Sequence, residues 1–568
     1  MKKRIPLLAA LCAALMLSTL CWAQAASLSI TRTTSSLFLN DHSAYITGFN
    51  INGNNYFRIR DLAKSLNGTS ASFEVTWNAS ANQVELLTGQ PYTGEAESSY
   101  VYGASQVVPS TAQLMIDGQT VDVAAYNIAG NNYYKLRDLS GLLGYEVFWL
   151  EAENAICLYT GLGENARLAE TSGGQARQMT ANQSTARWAE TSKSYLFDNG
   201  GGTFTVLDAS GDSILLDTYD SATFALTASR TLPAELDLFG GFFAGEQYNY
   251  LVFGQANEEE NDRKEVIRVV KYSKDFQRLD SVSITGGDCV TTVPFDAGSL
   301  RMAEHGSELV IHTARERYLT EDGLNHQSQL TILLDTETME VQNDLGWFQD
   351  NHVGHSFNQF VQYDGGRYVL IDHGDAYPRS VTLYRSGSGS GSPAMDLLPI
   401  PGRIGANCTG VTLGGFELSE ENYLVAINTI DHSKVTEFDS FGMHGLEQDE
   451  RDISLLVCGK DARSTEDVRQ ISLTGYIDQD KLGSTPYLVK LSGGRFLVLW
   501  EEYAYENSIA ASQGLRYAFV DGEGRMEGSV QTLAGARLSA DCQPIVMDGA
   551  VVWYINQKAG RMFYQIPV

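Results

Sequence analysis

The sequence predicts a mainly β protein in which two small α+β modules precede a large all-β region. Two observations carry this prediction. A stretch of 14 residues near the start of the chain returns 77 residues later, which indicates a tandem repeat. Beyond residue 193, short apolar runs alternate with Asp-Gly turns such as those at 364–365 and 548–549, a pattern typical of antiparallel strands joined by hairpins.

Composition excludes several classes of protein. The 568 residues include 69 Asp+Glu against 40 Lys+Arg, a net charge of −29, and 43% of them are hydrophobic, as in a folded globular chain. Because the sequence has no basic stripe, we expect no nucleic-acid partner. No cofactor or metal is predicted, since the five cysteines after residue 25 lack CxxC spacing and no nucleotide-binding loop occurs.

The first 25 residues have the organisation of a secretory signal peptide. Basic residues at 2–4 precede an apolar run that ends at Leu20, and small residues lead to a cleavage position after Ala25. A lipid anchor at Cys21 is disfavoured by the bulky Leu20 before it. No later stretch has the roughly 20 apolar residues that cross a bilayer. We expect a secreted or cell-surface protein without a transmembrane segment in its mature part.

The tandem repeat can be followed residue by residue. Residues 53–62, Gly-Asn-Asn-Tyr-Phe-Arg-Ile-Arg-Asp-Leu, return at 130–139 as Gly-Asn-Asn-Tyr-Tyr-Lys-Leu-Arg-Asp-Leu. The strand that ends at Trp77 returns 72 residues later, at Trp149. Each copy predicts a hairpin with a Gly-Asn-Asn turn, a short helix opened by Arg-Asp-Leu and a strand with one apolar face.

These residues resemble the copper amine oxidase-like N-terminal domain, also called the stalk domain, whose signature is a Gly-x-x-Tyr-Phe-x-Leu-Arg-Asp-Leu core followed by a Trp-ended strand. The resemblance covers two copies, at 27–94 and 95–163. In the amine oxidases this domain projects away from the copper site, so the resemblance implies neither copper nor oxidase activity. The sequence agrees, because it has no His-x-His pair and no Asn-Tyr-Asp/Glu signature of the cofactor-forming tyrosine.

The polar stretch 164–192 is interpreted as a linker, and 193–568 as one β-propeller, because apolar units recur there about every 50–55 residues. The units are predicted to start near Tyr195, Leu238, Ser299, Phe357, Val411, Tyr487 and Pro544. About seven blades are expected, with six or eight left open, and two stacked β-sandwiches are the competing arrangement. The last unit has about three strands, and the segment around Ser192–Phe197 is expected to supply the fourth.

Candidate binding residues cluster in the third and fourth units. Six of the nine histidines fall between His305 and His373, where strand ends would face the central channel in which propellers bind ligands. The residues predicted to line one pocket are Arg315, His326, His355, His373, Asp375 and Arg379. They suit a sugar or a carboxylate better than a metal ion, since His352 and His355 would face opposite sides of a strand. The alternative is that they only satisfy turn amides.

Together these observations predict an exported binding protein, either at the cell envelope or secreted, that presents a propeller on stalk-like modules. Its partner is expected to be a cell-wall or extracellular glycan or protein, and no catalytic residue is assigned. One alternative is a carbohydrate-active hydrolase or lyase that uses the His/Arg/Asp group as acid, base and charge stabiliser. Another is a purely structural envelope protein. Convergence of the polar side chains at one channel mouth would favour a ligand site.

Overall fold

A computed structural model describes residues 29–94, 107–163, 165–174, 176–298, 300–387, 394–439 and 441–568. The chain divides into a first unit, residues 1–161, and a second unit, residues 162–568. Strands hold 55% and helices 7% of the residues, which confirms the predicted mainly β class. The predicted signal peptide, residues 1–25, lies outside the described ranges. Within those ranges, no helix has the length and apolar character needed to cross a membrane.

The first unit contains the same series of elements twice. Its strands are β1 (Ile30–Arg32), β2 (Ser36–Leu39), β3 (His42–Ser43), β4 (Gly48–Ile51), β5 (Asn54–Arg58), β6 (Phe73–Asn78), β7 (Gln83–Thr88), β8 (Val107–Pro109), β9 (Gln113–Ile116), β10 (Gln119–Val121), β11 (Ala125–Ile128), β12 (Asn131–Tyr134), β13 (Tyr145–Leu150) and β14 (Ala155–Thr160). Helices α1 (Ile59–Leu66) and α2 (Leu136–Leu143) follow β5 and β12. Corresponding elements lie 77 residues apart up to the helices and 72 residues apart after them.

All three sheets of the first unit combine strands from both copies. The largest has the order β1-β4-β5-β12-β11-β8, with β5 and β12 paired antiparallel at its centre. Hairpin β6-β7 continues into β9-β10 through a parallel pairing of β7 with β9, and hairpin β13-β14 continues into β2-β3 in the same way. An isolated hairpin cannot bury its apolar face. The two copies, described over 29–94 and 107–163, therefore contribute strands to the same sheets and form one structure together, not two separate modules.

In the second unit, the described strands that follow β15 (Ala166–Ala169) begin with four antiparallel sheets. Sheet 1 has β16 (Ser194–Gly200), β17 (Thr203–Ser210), β18 (Ser213–Asp220) and β19 (Leu226–Pro233), and sheet 2 has β20 (Leu238–Ala244), β21 (Asn249–Gly254), β22 (Glu265–Tyr272) and β23 (Arg278–Thr285). Sheet 3 has β24 (Thr291–Pro294), β25 (Arg301–His305), β26 (Glu308–Leu319), β27 (Asn325–Asp335) and β28 (Glu340–Val341), and sheet 4 has β29 (Gly354–Asp364), β30 (Arg367–Ala376), β31 (Arg379–Arg385) and β32 (Ala394–Pro399). One residue pair, Ser328 with Gly354, links sheets 3 and 4 into a continuous hydrogen-bonded sheet of nine strands.

Three further sheets follow. Sheet 5 has β33 (Val411–Leu418), β34 (Asn422–Thr429), β37 (Asp452–Gly459) and β38 (Arg469–Ser472), with a side hairpin of β35 (Glu437–Phe438) and β36 (Met443–His444). Sheet 6 has β39 (Lys481–Gly483), β40 (Tyr487–Lys490), β41 (Phe496–Glu506), β42 (Ile509–Val520) and β43 (Met526–Leu533). Sheet 7 has β44 (Ile545–Met547), β45 (Ala550–Gln557), β46 (Gly560–Pro567) and β15. The short helices are α3 (Ala181–Thr185) and α4 (Gly286–Cys289), with 3-10 turns at His432–Lys434, Thr465–Asp467 and Ser492–Gly494.

Neighbouring sheets pack face to face in chain order. A strand begins within three residues of each of the seven predicted unit starts. Core clusters join sheets 1 and 2, 2 and 3, 3 and 4, 4 and 5, and 5 and 6. Strands β40 and β44 of sheets 6 and 7 lie against each other, and one further cluster joins sheet 7 to sheet 1.

The strand that completes sheet 7 differs from the prediction. Strand β15 pairs antiparallel with β46, with Ala166 opposite Tyr564. The segment around Ser192–Phe197 instead opens sheet 1 as part of β16. Its side chains explain this position, because Leu196 packs into the core shared with sheet 7 and Phe197 into the core shared with sheet 2.

The stretch predicted as a linker, 164–192, contains β15, α3 and a packed segment. We call residues 171–174 and 176–190 the lining segment, because they contact five sheets in turn. The contacts are Ser172 Oγ to Asp217 in sheet 1 (2.6 Å), Asn556 N to the Ala176 carbonyl in sheet 7 (2.8 Å), Tyr503 Oη to the Met179 carbonyl in sheet 6 (2.9 Å), Asn428 Nδ2 to the Ser184 carbonyl in sheet 5 (2.9 Å) and Ala189 N to the Phe357 carbonyl in sheet 4 (3.1 Å). The last four of these hydrogen bonds each satisfy a backbone group of the segment that would otherwise be left unpaired.

Candidate functional site

The six predicted site residues separate into two groups. The structure brings His326, His355 and Asp375 together where strands of sheets 3 and 4 begin or end. Arg315, His373 and Arg379 are buried among backbone and hydroxyl partners instead, although Arg379 lies opposite Asp375 in the pairing of β30 with β31.

The two arginines hold loops in place. Arg315 is 1% exposed and donates to the carbonyl oxygens of Leu345 (2.9 Å) and Gly346 (2.7 Å). Arg379 is 6% exposed and donates to the carbonyl oxygen of Pro401 (2.8 Å). Because these guanidinium groups already bind backbone oxygens within the chain, they are not available to a ligand, as the alternative reading of these positions anticipates.

His373 is also part of the interior. It is 1% exposed, its Nε2 lies 3.0 Å from Thr409 Oγ1, and its ring packs on Phe357 with centroids 5.2 Å apart. Burial first, and then the nearby charges of Arg379 and Arg451, lower the pKa of His373 to about 3. The imidazole therefore stays neutral at the pH values at which proteins usually work.

His355 is the centre of the group that does converge. Its Nδ1 lies 2.9 Å from Asp375 Oδ1, and its side chain is 27% exposed while that of Asp375 is fully buried. The ring of His326 stacks on that of His355 with centroids 6.5 Å apart and an angle of 25°. Nδ1 faces this carboxylate at ion-pair distance, although Asp375 Oδ1 accepts no hydrogen bond. Nε2 is therefore the ring nitrogen that remains for a ligand.

The backbone at His355 departs from regular strand geometry, which changes the direction of its imidazole side chain. His355 has a φ of 50°, in the left-handed region that few residues other than glycine adopt. The pairing of β29 with β30 shifts register between Ser356 and Asn358. Such bulges turn a side chain out of the regular alternation and occur next to binding sites.

The buried Asp375 carboxylate has a second partner. With the Asn407 amide oriented to complete its bonds, Nδ2 donates to Asp375 Oδ2 at 3.0 Å and Oδ1 accepts from Arg187 Nη1 at 3.2 Å. The Gly405 amide also donates to the Asp375 backbone carbonyl at 3.1 Å. These contacts fix the carboxylate, which in turn fixes the ring of His355.

Two neighbours of His355 were missed by the sequence analysis. The ring centroid of Trp188 lies 6.2 Å from that of His355 and 4.6 Å from that of Phe357. Asp296 follows β24, and its pKa is raised by burial and then by the Glu316 carboxylate, against the opposing effect of His355. Trp188 lay in the supposed linker, and Asp296 is one of many acidic residues, so neither carried a distinguishing signal. We call Trp188, Asp296, His326, His355 and Asp375 the His355 cluster.

Trp188 also borders a cavity of about 100 Å³ between the lining segment and sheets 3 to 7. The cavity is lined among others by Arg301, Asn358, Leu413, Thr485 and Gln543. The Arg301 guanidinium lies 4.5 Å from the ring centroid of Phe360. Among the described residues, no group of three His, Cys, Asp or Glu is arranged to hold a metal ion.

Comparisons with known proteins give loose structural likenesses only. No family model matches the chain, and no curated protein matches it. The α-L-arabinofuranosidase from Lactobacillus brevis is 8% identical over 62% of this chain and 92% of that chain, with a TM-score of 0.28. The quinohemoprotein alcohol dehydrogenase from Comamonas testosteroni is 10% identical over 68% of this chain and 69% of that chain, with a TM-score of 0.38. The β-propeller domain of the Trilobed protease from Pyrococcus furiosus is 11% identical over 66% of this chain and 95% of that chain, with a TM-score of 0.34. The function must therefore be inferred from the side chains themselves.

Proposed function

We propose that the protein is an exported binding protein whose second unit, a seven-bladed β-propeller, holds a glycan at the His355 cluster. Several contacts support a closed ring of sheets. Successive sheets share cores in chain order, and Phe204 of sheet 1 packs on Phe563 of sheet 7 with ring centroids 5.3 Å apart. A strand supplied from before the first blade, here β15, is a common way to close such a ring.

Export and the stalk-like nature of the first unit are part of the same proposal. Export rests on the signal-like composition of residues 1–25, and the stalk assignment on the Gly-Asn-Asn hairpin and Arg-Asp-Leu helix start in each copy. If the signal is cleaved after Ala25, the secreted protein should begin at Ala26. N-terminal sequencing of protein recovered from the culture medium or cell surface tests this.

The observation that carries the binding proposal is the partly exposed imidazole of His355, oriented by a buried carboxylate. The indole of Trp188 offers an apolar surface, and Asp296 and Asp322 offer hydrogen-bond acceptors nearby, with Asp322 2.7 Å from His326. An aromatic surface beside hydroxyl acceptors fits a sugar ring, which has an apolar face and a rim of hydroxyls. Because the carboxylates would repel an acidic sugar, a neutral sugar fits best.

Substituting His355 by asparagine should weaken binding of the neutral sugar chitohexaose at least about tenfold. Asparagine keeps a donor for the buried Asp375, so the fold is retained, but it lacks the Nε2 that would bond the ligand. Titration calorimetry at pH 7 measures the affinity. The matched control is His305→Ala, which removes an exposed histidine stacked on Tyr363 and should leave the affinity unchanged.

Equal affinities for the His355→Asn variant and the unsubstituted protein would refute the site. Stronger binding of an acidic oligogalacturonate than of chitohexaose at this cluster would refute the preference for a neutral sugar.

A second candidate function is glycoside hydrolysis, favoured by Asp296 alone. Its pKa is raised by burial and then by the charge of Glu316, and a raised pKa is what a carboxyl needs to act as a general acid. Under the binding proposal, chitohexaose should remain intact during prolonged incubation. Release of shorter oligosaccharides that stops in an Asp296→Asn variant would favour the hydrolase.

A further inference from the structure

The two repeats of the first unit are arranged about a local two-fold axis. Strands β5 and β12 pair at its centre. Phe49 packs on Tyr133 with ring centroids 5.4 Å apart, while Tyr126, which corresponds to Phe49, packs on Tyr56, which corresponds to Tyr133, at 5.0 Å. This crossed packing brings the hairpin turn of each repeat beside the helix start of the other.

Two corresponding grooves result from this arrangement. The first groove has a volume of about 510 Å³ and the second about 300 Å³, both within the range of small-ligand sites. The Trp-bearing strand lines each groove together with the helix start of the same repeat and the Gly-Asn-Asn turn of the other. Corresponding lining residues are Arg60, Trp77, Val84, Asn131 and Asn132 in the first groove and Arg137, Trp149, Ile156, Asn54 and Asn55 in the second.

The indoles stand out at corresponding positions in the two grooves. Trp77 is 47% exposed and Trp149 is 44% exposed, although each follows the buried part of its strand. The second groove is narrower where Phe148 takes the place of Thr76. Large aromatic side chains left half exposed at the same place in both repeats indicate a surface that is used for binding.

Positive charge is concentrated at the same grooves. The described part of the first unit has six Lys and Arg residues, and four of them line the grooves: Arg58 and Arg60 in the first, Lys135 and Arg137 in the second. Arg58 is 5% exposed and pairs with Asp61, and Asp138 also lines the second groove, so the charge that favours an anion comes from Arg60, Lys135 and Arg137. In a chain with a net charge of −29, this placement favours an anionic ligand.

We propose that the two grooves are paired binding sites for an acidic polysaccharide. The apolar face of a sugar ring would lie on Trp77 or Trp149, and its hydroxyls would bond the Asn amides of the other repeat. A sugar carboxylate would bond the guanidinium of Arg60 or Arg137. This inference concerns other residues, another unit and a ligand of different charge from the His355 cluster, so either proposal can fail alone.

The binding stoichiometry of the full-length protein tests whether both grooves bind the ligand. A short oligogalacturonate should bind with two molecules per chain. Trp77→Ala and Trp149→Ala should each leave one site, and the double variant should leave none, with affinity at each altered site reduced at least about tenfold. Trp347→Ala is the matched control, since this 40% exposed tryptophan lies in the second unit, and it should retain two sites.

Two more variants test the sites without removing a large aromatic side chain, whose loss could disturb the fold. Arg137→Gln changes an exposed side chain and should weaken only the second site, by roughly tenfold. His355→Asn should leave both sites intact. A single site in the unsubstituted protein, unaltered stoichiometry in the double tryptophan variant, or equal affinity for neutral dextran oligosaccharides of the same length would overturn the proposal.

Discussion

Replacing Arg561 by methionine should lower the free energy of unfolding of the second unit by roughly 3–5 kcal/mol. Arg561, Asp208 and Asp217 are each 0% exposed, and Arg561 Nη1 lies 2.6 Å from Asp217 Oδ2 while Nη2 bonds Asp208. Methionine has a similar length but leaves two buried carboxylates without their cation, and that uncompensated charge makes the loss large. Denaturant unfolding followed by tryptophan fluorescence, to which the buried Trp500 and Trp553 of the second unit contribute, measures it.

Arg525 supplies the matched control. Its side chain is 64% exposed and pairs with Glu523 on the surface, so Arg525→Met should change the free energy of unfolding by less than about 1 kcal/mol. A loss of similar size in the two variants would contradict the role given to Arg561.

The effect of the Arg561 substitution should also depend on pH. Burial raises the pKa of Asp217, but hydrogen bonds from Ser172 and Ser229 and the charge of Arg561 outweigh burial and hold this pKa below its usual value. A carboxyl with a lowered pKa stabilises the folded state above its unfolded pKa, near 3.9, and that contribution disappears as the pH falls through the folded value. The stability difference between wild type and Arg561→Met should therefore narrow below about pH 4. A difference that stays constant from pH 7 to pH 3 would refute this account.

Replacing residues 166–169 by Gly-Ser-Gly-Ser should destabilise the second unit by roughly 4–6 kcal/mol. The change removes the closing strand β15, its hydrogen bonds to β46 and the packing of Ala169 in the core between sheets 7 and 1. It also leaves β46 as an open sheet edge, which promotes association of chains. The unfolding midpoint and the molecular mass in solution are the two measurements.

A pair of glycine variants tests the contact between β15 and β46 without removing the strand. A Cβ added at Gly560 would lie 2.2 Å from the Ala169 carbonyl oxygen, whereas one at Gly549 would meet nothing within 4 Å. Both glycines have positive φ, 151° and 77°, so both variants carry backbone strain, and only Gly560→Ala should also displace β15. Equal losses for Gly560→Ala and Gly549→Ala would show that the close approach of β15 contributes little.

Much of the second unit could be predicted because its strands are regular. Runs such as 496–500 and 550–554 are apolar enough to be recognised as buried strands, and a strand begins near each predicted unit start. Sheets 3 and 6 begin earlier than predicted, because the short strands β24 and β39 precede those starts. Strand β15 could not be recognised, because Ala-Arg-Leu-Ala is short and has small side chains. The sharing of sheets in the first unit was hidden for another reason. A repeat shows which elements recur. It does not show whether β7 pairs with a strand of its own repeat or with β9 of the other repeat, because that depends on contacts between the repeats.

The candidate site shows a similar division. Polar residues at strand ends, such as His355 and Asp375, could be singled out because the repeat of the strands places them at one edge. Arg315 has the same local pattern, yet its guanidinium binds loop carbonyls. Sequence does not separate these two uses of a polar side chain, because each depends on what a distant loop brings near it. Trp188 was overlooked for that reason too, since only the packed lining segment brings it to His355.

The pairing of β15 with β46 also determines when the second unit can finish folding. Strand β15 comes before all the other strands of the seven sheets in the chain, while its partner β46 is the last strand to be made. Contacts between residues so far apart in sequence form slowly, because the loop-closure entropy opposes them until other contacts compensate. During synthesis, Asp208 and Asp217 are present long before Arg561. Until sheet 7 forms, the surfaces of sheets 1 and 6 that pack on it stay exposed to proteases and to other chains.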